Sequence, residues 1–124
     1  MLEVFTYKEL KKAGLSFTYE EHSYQLTEGF HYPCPSFETR STGAFEDRSK
    51  DKVRGISYTP DFVSYDADGK LLWVIECKGF ANDRFPNTWK NFKKLLVDTG
   101  QACPLYLPKN QKQVLQVIQL ISEL

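Results

Sequence analysis

Little in this sequence announces a fold by itself. There are three cysteines, Cys34, Cys77 and Cys103, without CxxC spacing, so neither a disulfide framework nor a cysteine-built zinc site is expected. The two histidines, His22 and His31, stand at no metal-ligand spacing from those cysteines and read as surface residues. Charge of one sign is missing as well: 16 Lys and Arg balance 16 Asp and Glu. No global positive field therefore draws in nucleic acid, and any phosphate contact has to come from a local patch. No apolar run approaches a membrane span, and Glu3, Lys8 and Glu9 interrupt the apolar pattern of the opening segment, unlike a signal peptide. The expectation is a protein of a reducing cytoplasm with no membrane contact. Internal repeats and low-complexity tracts are absent too.

What is present suits a single domain spanning residues 1–124, with enough apolar and aromatic side chains for a core without staples. Leu2, Phe5 and Leu10 fit a first helix ended by Gly14. Leu15 to Leu26, where Phe17 and Tyr19 alternate with polar neighbours, reads as a strand. Phe30 to Arg40, broken by Pro33 and Pro35, suits an edge or a loop. Ser41 to Arg54 is polar and aperiodic and reads as an exposed, mobile loop. Ile56 to Tyr65 and the apolar run Leu71 to Cys77 then form a hairpin about Ala67-Asp68-Gly69. A helix from Pro86 to Val97, a short strand from Cys103 to Leu107 and a helix from Lys109 to Leu124 complete the chain.

The chemistry concentrates in Tyr58-Thr59-Pro60-Asp61-Phe62 and, beyond the turn, Val74-Ile75-Glu76-Cys77-Lys78-Gly79. Strand side chains alternate, so Glu76 and Lys78 project to one side while Cys77 faces the core. The hairpin brings Asp61 beside Glu76. Two carboxylates, with the backbone carbonyl of Cys77, are oxygen ligands suited to Mg²⁺ or Mn²⁺. Such a cation activates water and stabilises the charge that develops in phosphodiester cleavage. Lys78 would then position or help deprotonate the water, or stabilise the phosphorane-like charge. The bland alternative makes Asp61, Glu76 and Lys78 an ordinary surface ion pair.

Pro60-Asp61 followed by Glu76-Cys77-Lys78 resembles the signature of the PD-(D/E)XK nuclease superfamily, and is similar to small phage- and transposon-encoded members. The resemblance implies an α/β fold with a restriction-endonuclease-like core, a mixed central β-sheet flanked by helices. It implies a Mg²⁺- or Mn²⁺-dependent endonuclease acting on DNA in a bacterial or phage-infected cell. Asp61 and Glu76 become metal-binding acids and Lys78 the catalytic lysine. A further acid on the first helix is Glu3, with Glu9 and Glu20 as the alternatives. The other functional readings are a junction-specific resolvase acting as a dimer and a non-catalytic nucleic-acid-binding or assembly module of the same fold.

Arg84, Lys90, Lys93 and Lys94 lie on or just before the helix that follows the hairpin and are candidates for the DNA backbone, although lysines on an amphipathic helix also serve as its solvated face. Trp89 and Phe92 share a stripe with Leu95 and Leu96 and read as core. Cys77, without a partnered histidine, does not read as a nucleophile. The broad apolar face of the last helix would serve a core or a homodimer. A balanced charge also leaves room for a partner protein that delivers the substrate.

Overall fold

The computed structural model describes residues 1–77 and 84–124. Its elements begin with α1 (Leu2–Lys12), β1 (Thr18–Tyr19), β2 (Tyr24–Thr27) and β3 (Phe30–His31). They continue with β4 (Phe37–Thr39), β5 (Phe45–Asp47), β6 (Lys52–Val53), β7 (Ile56–Tyr58) and β8 (Phe62–Tyr65). The chain ends with β9 (Leu71–Ile75), α2 (Phe85–Asp98), β10 (Leu105–Tyr106) and α3 (Gln111–Ser122). Among the described residues no helix is long and apolar enough to cross a membrane. The chain forms two compact units, residues 1–24 with 58–124, and residues 25–57.

The larger unit is mixed α/β. Its sheet has the order β1-β8-β9-β10, antiparallel at the first two pairings and parallel at the last. The β8–β9 hairpin turns at Gly69, whose φ of 82° lies in the left-handed region that favours glycine. Asp66 braces this turn by accepting from the backbone N–H groups of Asp68 and Lys70. Alternation along the hairpin sends Phe62, Trp73 and Ile75 to one face, where they meet Leu10 of α1 and Val117 and Ile121 of α3. Val63 and Val74, paired across the hairpin on the opposite face, are buried as well.

Local signals explain the helix ends. After α1, Leu15 N–H reaches back to the Leu10 carbonyl across Gly14, which takes a φ of 71°. Pro86 stands in the first turn of α2, where a missing N–H costs nothing. At α3 the Asn110 side chain accepts from Gln113 N–H, while the Gln113 side chain accepts from Lys109 N–H.

The smaller unit corrects the reading of Ser41 to Arg54 as an exposed, mobile loop: the stretch is largely exposed, but Phe45–Asp47 and Lys52–Val53 within it are paired strands. Here β2 pairs with β7, β3 with β6 and β4 with β5, so the ribbons nest inside one another. Phe37 pairs with Asp47, Glu38 with Glu46 and Thr39 with Phe45. Ion pairs at the strand ends, of Arg40 with Glu46 and Asp51 and of Arg48 with Asp51 three residues on, stand where hydrophobic alternation would normally mark a strand. At Gly55 a Cβ would sit 2.7 Å from the Thr27 carbonyl oxygen, so the backbone approach itself excludes a side chain.

Two other expected strands are each divided. Leu15 to Leu26 breaks between β1 and β2 at Glu20, a non-glycine residue with φ of 49°. Ile56 to Tyr65 breaks at Thr59-Pro60-Asp61, where proline has no N–H for a ladder. Asp61 therefore sits just before β8, and Glu76 just after β9, rather than within the strands.

Candidate active site

Four carboxylates converge at the open end of the β8–β9 hairpin. Phe62 is registered with Ile75, so continuing the ladder outward by one residue sets Asp61 opposite Glu76. The Asp61 side chain accepts the Cys77 backbone N–H through Oδ2 at 2.8 Å, which locks the carboxylate against the end of β9. Its backbone carbonyl accepts Glu20 N–H at 2.9 Å. The left-handed backbone at Glu20 thus holds that residue beside Asp61. Such a conformation costs a non-glycine residue about 1–2 kcal/mol, and strain of this kind concentrates at functional sites.

Glu3 arrives from the first turn of α1. One carboxylate oxygen each from Glu3, Glu20 and Asp61 lies within 4.8 Å of the others. Oxygen donors at this separation suit a hard divalent cation with retained waters. Glu3 was the expected acid from the first helix, and Glu20, one of the alternatives, joins it rather than replacing it. Glu9 instead pairs with Lys12 at 3.4 Å.

Tyrosines hold two of these acids in place. Tyr58, itself buried, donates its hydroxyl to Glu76 Oε1 at 2.5 Å, and Tyr19 donates to Glu3 Oε2 at 2.6 Å. Neither tyrosine was singled out as a site residue. The available signal was position alone, Tyr58 three residues before Asp61 and Tyr19 directly before Glu20. Burial first, and the neighbouring Glu76 second, push the Tyr58 phenol far above its ordinary range, so it remains a donor.

No protein-family model, curated protein or solved structure matches this chain.

Asp61 is 5% exposed. Burial, then Glu76, and more weakly Glu3 and Glu20, raise its carboxyl from 3.8 to about 7, while the Cys77 N–H pulls the other way. That placement contradicts an ordinary surface ion pair at Asp61. Among the described residues the neighbouring charges that shift it are acids, the situation a bound cation would relieve. Cys77 is buried, its thiol lies 3.3 Å from the Thr6 hydroxyl, and burial pushes its pKa up to about 12, which excludes a ready thiolate nucleophile. Its N–H, holding Asp61, is the contribution that the geometry shows.

Lys78 lies outside the described residues. Lys90, Lys93 and Lys94 are exposed on α2, and Lys94 pairs with Asp98 at 3.0 Å. Arg84 is exposed at the start of the same helix. Trp89 and Phe92 are buried, as their spacing implied. The rings of Phe85, Trp89 and Phe92 surround Tyr58 with centroids 5.0–6.3 Å away, so α2 is tied to the residue that holds Glu76.

The Asp61 shift sets a pH dependence. The folded carboxyl keeps its proton to about 7, whereas an unfolded aspartate releases it near 4. Between these values the folded state binds more protons, so stability falls as pH rises through this window. After solvent screening the loss is about 1–2 kcal/mol. Urea melts at about pH 4 and pH 8 without divalent metal should show this loss in the wild type and a smaller one in Asp61→Asn. Equal losses in the two proteins would refute the assignment.

Proposed function

We propose that the protein is a Mg²⁺- or Mn²⁺-dependent endonuclease that hydrolyses DNA phosphodiester bonds, on a core of the restriction-endonuclease type. The observation that carries this reading is the convergence of Glu3, Glu20 and Asp61, with Glu76 opposite Asp61, in a partly buried acidic cluster. A fold without chemistry gains nothing from keeping repelling carboxylates together. The Pro60-Asp61 and Glu76-Cys77-Lys78 pattern supports the same reading.

A bound divalent cation would polarise the scissile phosphate and lower the pKa of its water. Glu3, Glu20 and Asp61 would hold it, with Glu76 beside them. Tyr58 and Tyr19 fix the rotamers of Glu76 and Glu3, so these oxygens are in place before a ligand arrives. The Cys77 N–H orients Asp61. Lys78 would orient the attacking water or offset charge on the phosphate. Lys90 and Lys93, with Arg84, would meet the flanking backbone and fix register without reading sequence.

Calorimetric titration of Mg²⁺ and Mn²⁺ into wild type and Glu76→Ala, beside gel assays on single-stranded, duplex and branched DNA, tests this. Metal binding and cleavage in the wild type, both reduced by the substitution, are expected. DNA binding with no metal-dependent cleavage by the wild type would move the assignment to a non-catalytic binding module. A dimeric mass with preference for branched DNA would move it to a junction resolvase.

A further inference from the structure

An open cavity adjoins the acidic cluster and shares Glu3 with it. On α1, Glu3 and Tyr7 are four residues apart, as are Val4 and Lys8, so the four form one patch of helix surface. With Tyr19 from β1 they line this cavity, of about 270 Å³. Its apolar side chains are open to solvent: Val4 is 49% exposed, Tyr7 41% and Tyr19 38%. The Tyr7 ring is braced edge-on against Phe17 and Tyr19, at centroid distances of 5.3 and 6.1 Å, so it offers a firm surface rather than a loose side chain. Lys8 lines the cavity, and the Lys11 ammonium lies 5.8 Å from the Tyr7 ring centroid.

Glu3 belongs both to this cavity and to the acidic cluster. We infer that the cavity between α1 and Tyr19 receives the unpaired base of a nucleotide next to the scissile phosphate, making the substrate DNA with an unstacked nucleotide at the cut. The inference rests on the nuclease reading for the position of that phosphate.

Three features favour this occupant. The volume falls below the roughly 300–1,000 Å³ of pockets for larger organic ligands, which suits one planar base. The lining combines aromatic surface with a cation, the pairing that binds single-stranded nucleic acid through base stacking and phosphate attraction. Tyr7 stands about 6 Å along the helix axis from Glu3, so one strand can place a phosphate at the acids and its neighbouring base at the ring. A base inside an intact duplex cannot reach the ring without leaving its stack. Unpaired or easily unpaired nucleotides are thus selected.

The test uses wild-type protein with Ca²⁺ replacing Mg²⁺, and oligonucleotides carrying the fluorescent base 2-aminopurine at successive positions, either in a single strand or within a duplex. Quenching at one position in the single strand is expected, with weaker quenching in the duplex. Tyr7→Ala should remove it and weaken single-strand binding about tenfold or more. Val4→Glu, which keeps both rings but puts an acid in the cavity, should do the same. Lys8→Ala should flatten the salt dependence by about one phosphate contact. Circular dichroism checks that each variant is folded.

Mg²⁺-dependent cleavage by the wild type without Tyr7-dependent quenching would overturn the base pocket and leave the nuclease reading standing. Tyr7-dependent quenching without cleavage would support the pocket and count against the nuclease. Quenching and affinity unaffected by both Tyr7→Ala and Val4→Glu would also overturn it.

Discussion

Asp61→Asn is expected to lower Mg²⁺-dependent DNA cleavage by about three orders of magnitude or more, while the protein stays folded. The amide is nearly the same shape as the carboxylate, and its oxygen can still accept the Cys77 N–H that Asp61 accepts at 2.8 Å. What disappears is charge at the centre of the acidic cluster. Oδ2 is engaged by the backbone, which leaves the second oxygen for a cation; in the variant, with the amide oxygen on the Cys77 N–H, that position carries the amide NH2, which is no ligand for a hard ion. Without divalent metal the variant should be at least as stable as the wild type above about pH 7, because one repelling carboxylate has gone. Tyr58→Phe should fall between the two proteins, losing about 10- to 100-fold in metal affinity or activity, since Glu76 remains but its hydroxyl partner at 2.5 Å is removed. Single-turnover cleavage on one oligonucleotide, with thermal melts of each variant, checks both. An Asp61→Asn protein that cuts within tenfold of the wild type would sink the assignment of this acid.

The parts of the molecule that were legible are those whose causes are local. Gly14, Gly69 and Pro86 mark the end of α1, the hairpin turn and the start of α2 because each answers a backbone requirement within a few residues. The apolar periodicity of α2 and α3 marks faces on which Trp89, Phe92, Val114, Val117 and Ile121 are buried, although Leu115 in the same run is 50% exposed. The facing of Asp61 and Glu76 followed from a hairpin between them, although both lie just outside the strands.

The parts that were not legible depend on partners far along the chain. The strands β3 to β6 are two or three residues long, too short for periodicity to register. Arg40, Glu46 and Asp51 look like loop residues until the ribbon sets them against one another. Nothing in the aromatic run around Tyr19 signals that the chain swings into the left-handed region at Glu20, so that acid stood only as one of two alternatives to Glu3. Tyr58 looked like a strand residue, and only the fold shows its hydroxyl meeting Glu76. The same long-range placement makes the site depend on the core beneath it.

Phe92→Ala is the substitution expected to expose that dependence, costing about 3–5 kcal/mol of folding stability. Phe92 is 0% exposed, with the rings of Tyr58, Tyr24 and Trp89 at 5.0, 5.1 and 5.9 Å. These rings have little freedom to collapse into the space left by the missing phenyl, so the cavity persists and the full cost of large-to-small replacement applies. Against a total stability of about 5–15 kcal/mol for a domain this size, the melting temperature should fall by about 10–20 °C. Phe45→Ala is the contrast. That ring is 69% exposed and touches Phe37 at 5.7 Å, so its loss should cost less than about 1.5 kcal/mol. Losing Phe92 also removes one wall of the aromatic cage around Tyr58, which frees the phenol to leave Glu76. Where Phe92→Ala is still folded, near 10 °C, its Mg²⁺ affinity should therefore fall toward that of Tyr58→Phe. Urea melts and Mg²⁺ titrations measure the two effects separately. A destabilisation below about 1 kcal/mol would mean that Phe92 is not the keystone of this cluster, and full stability loss with unchanged Mg²⁺ affinity would mean that Tyr58 is held by Phe85 and Trp89 alone.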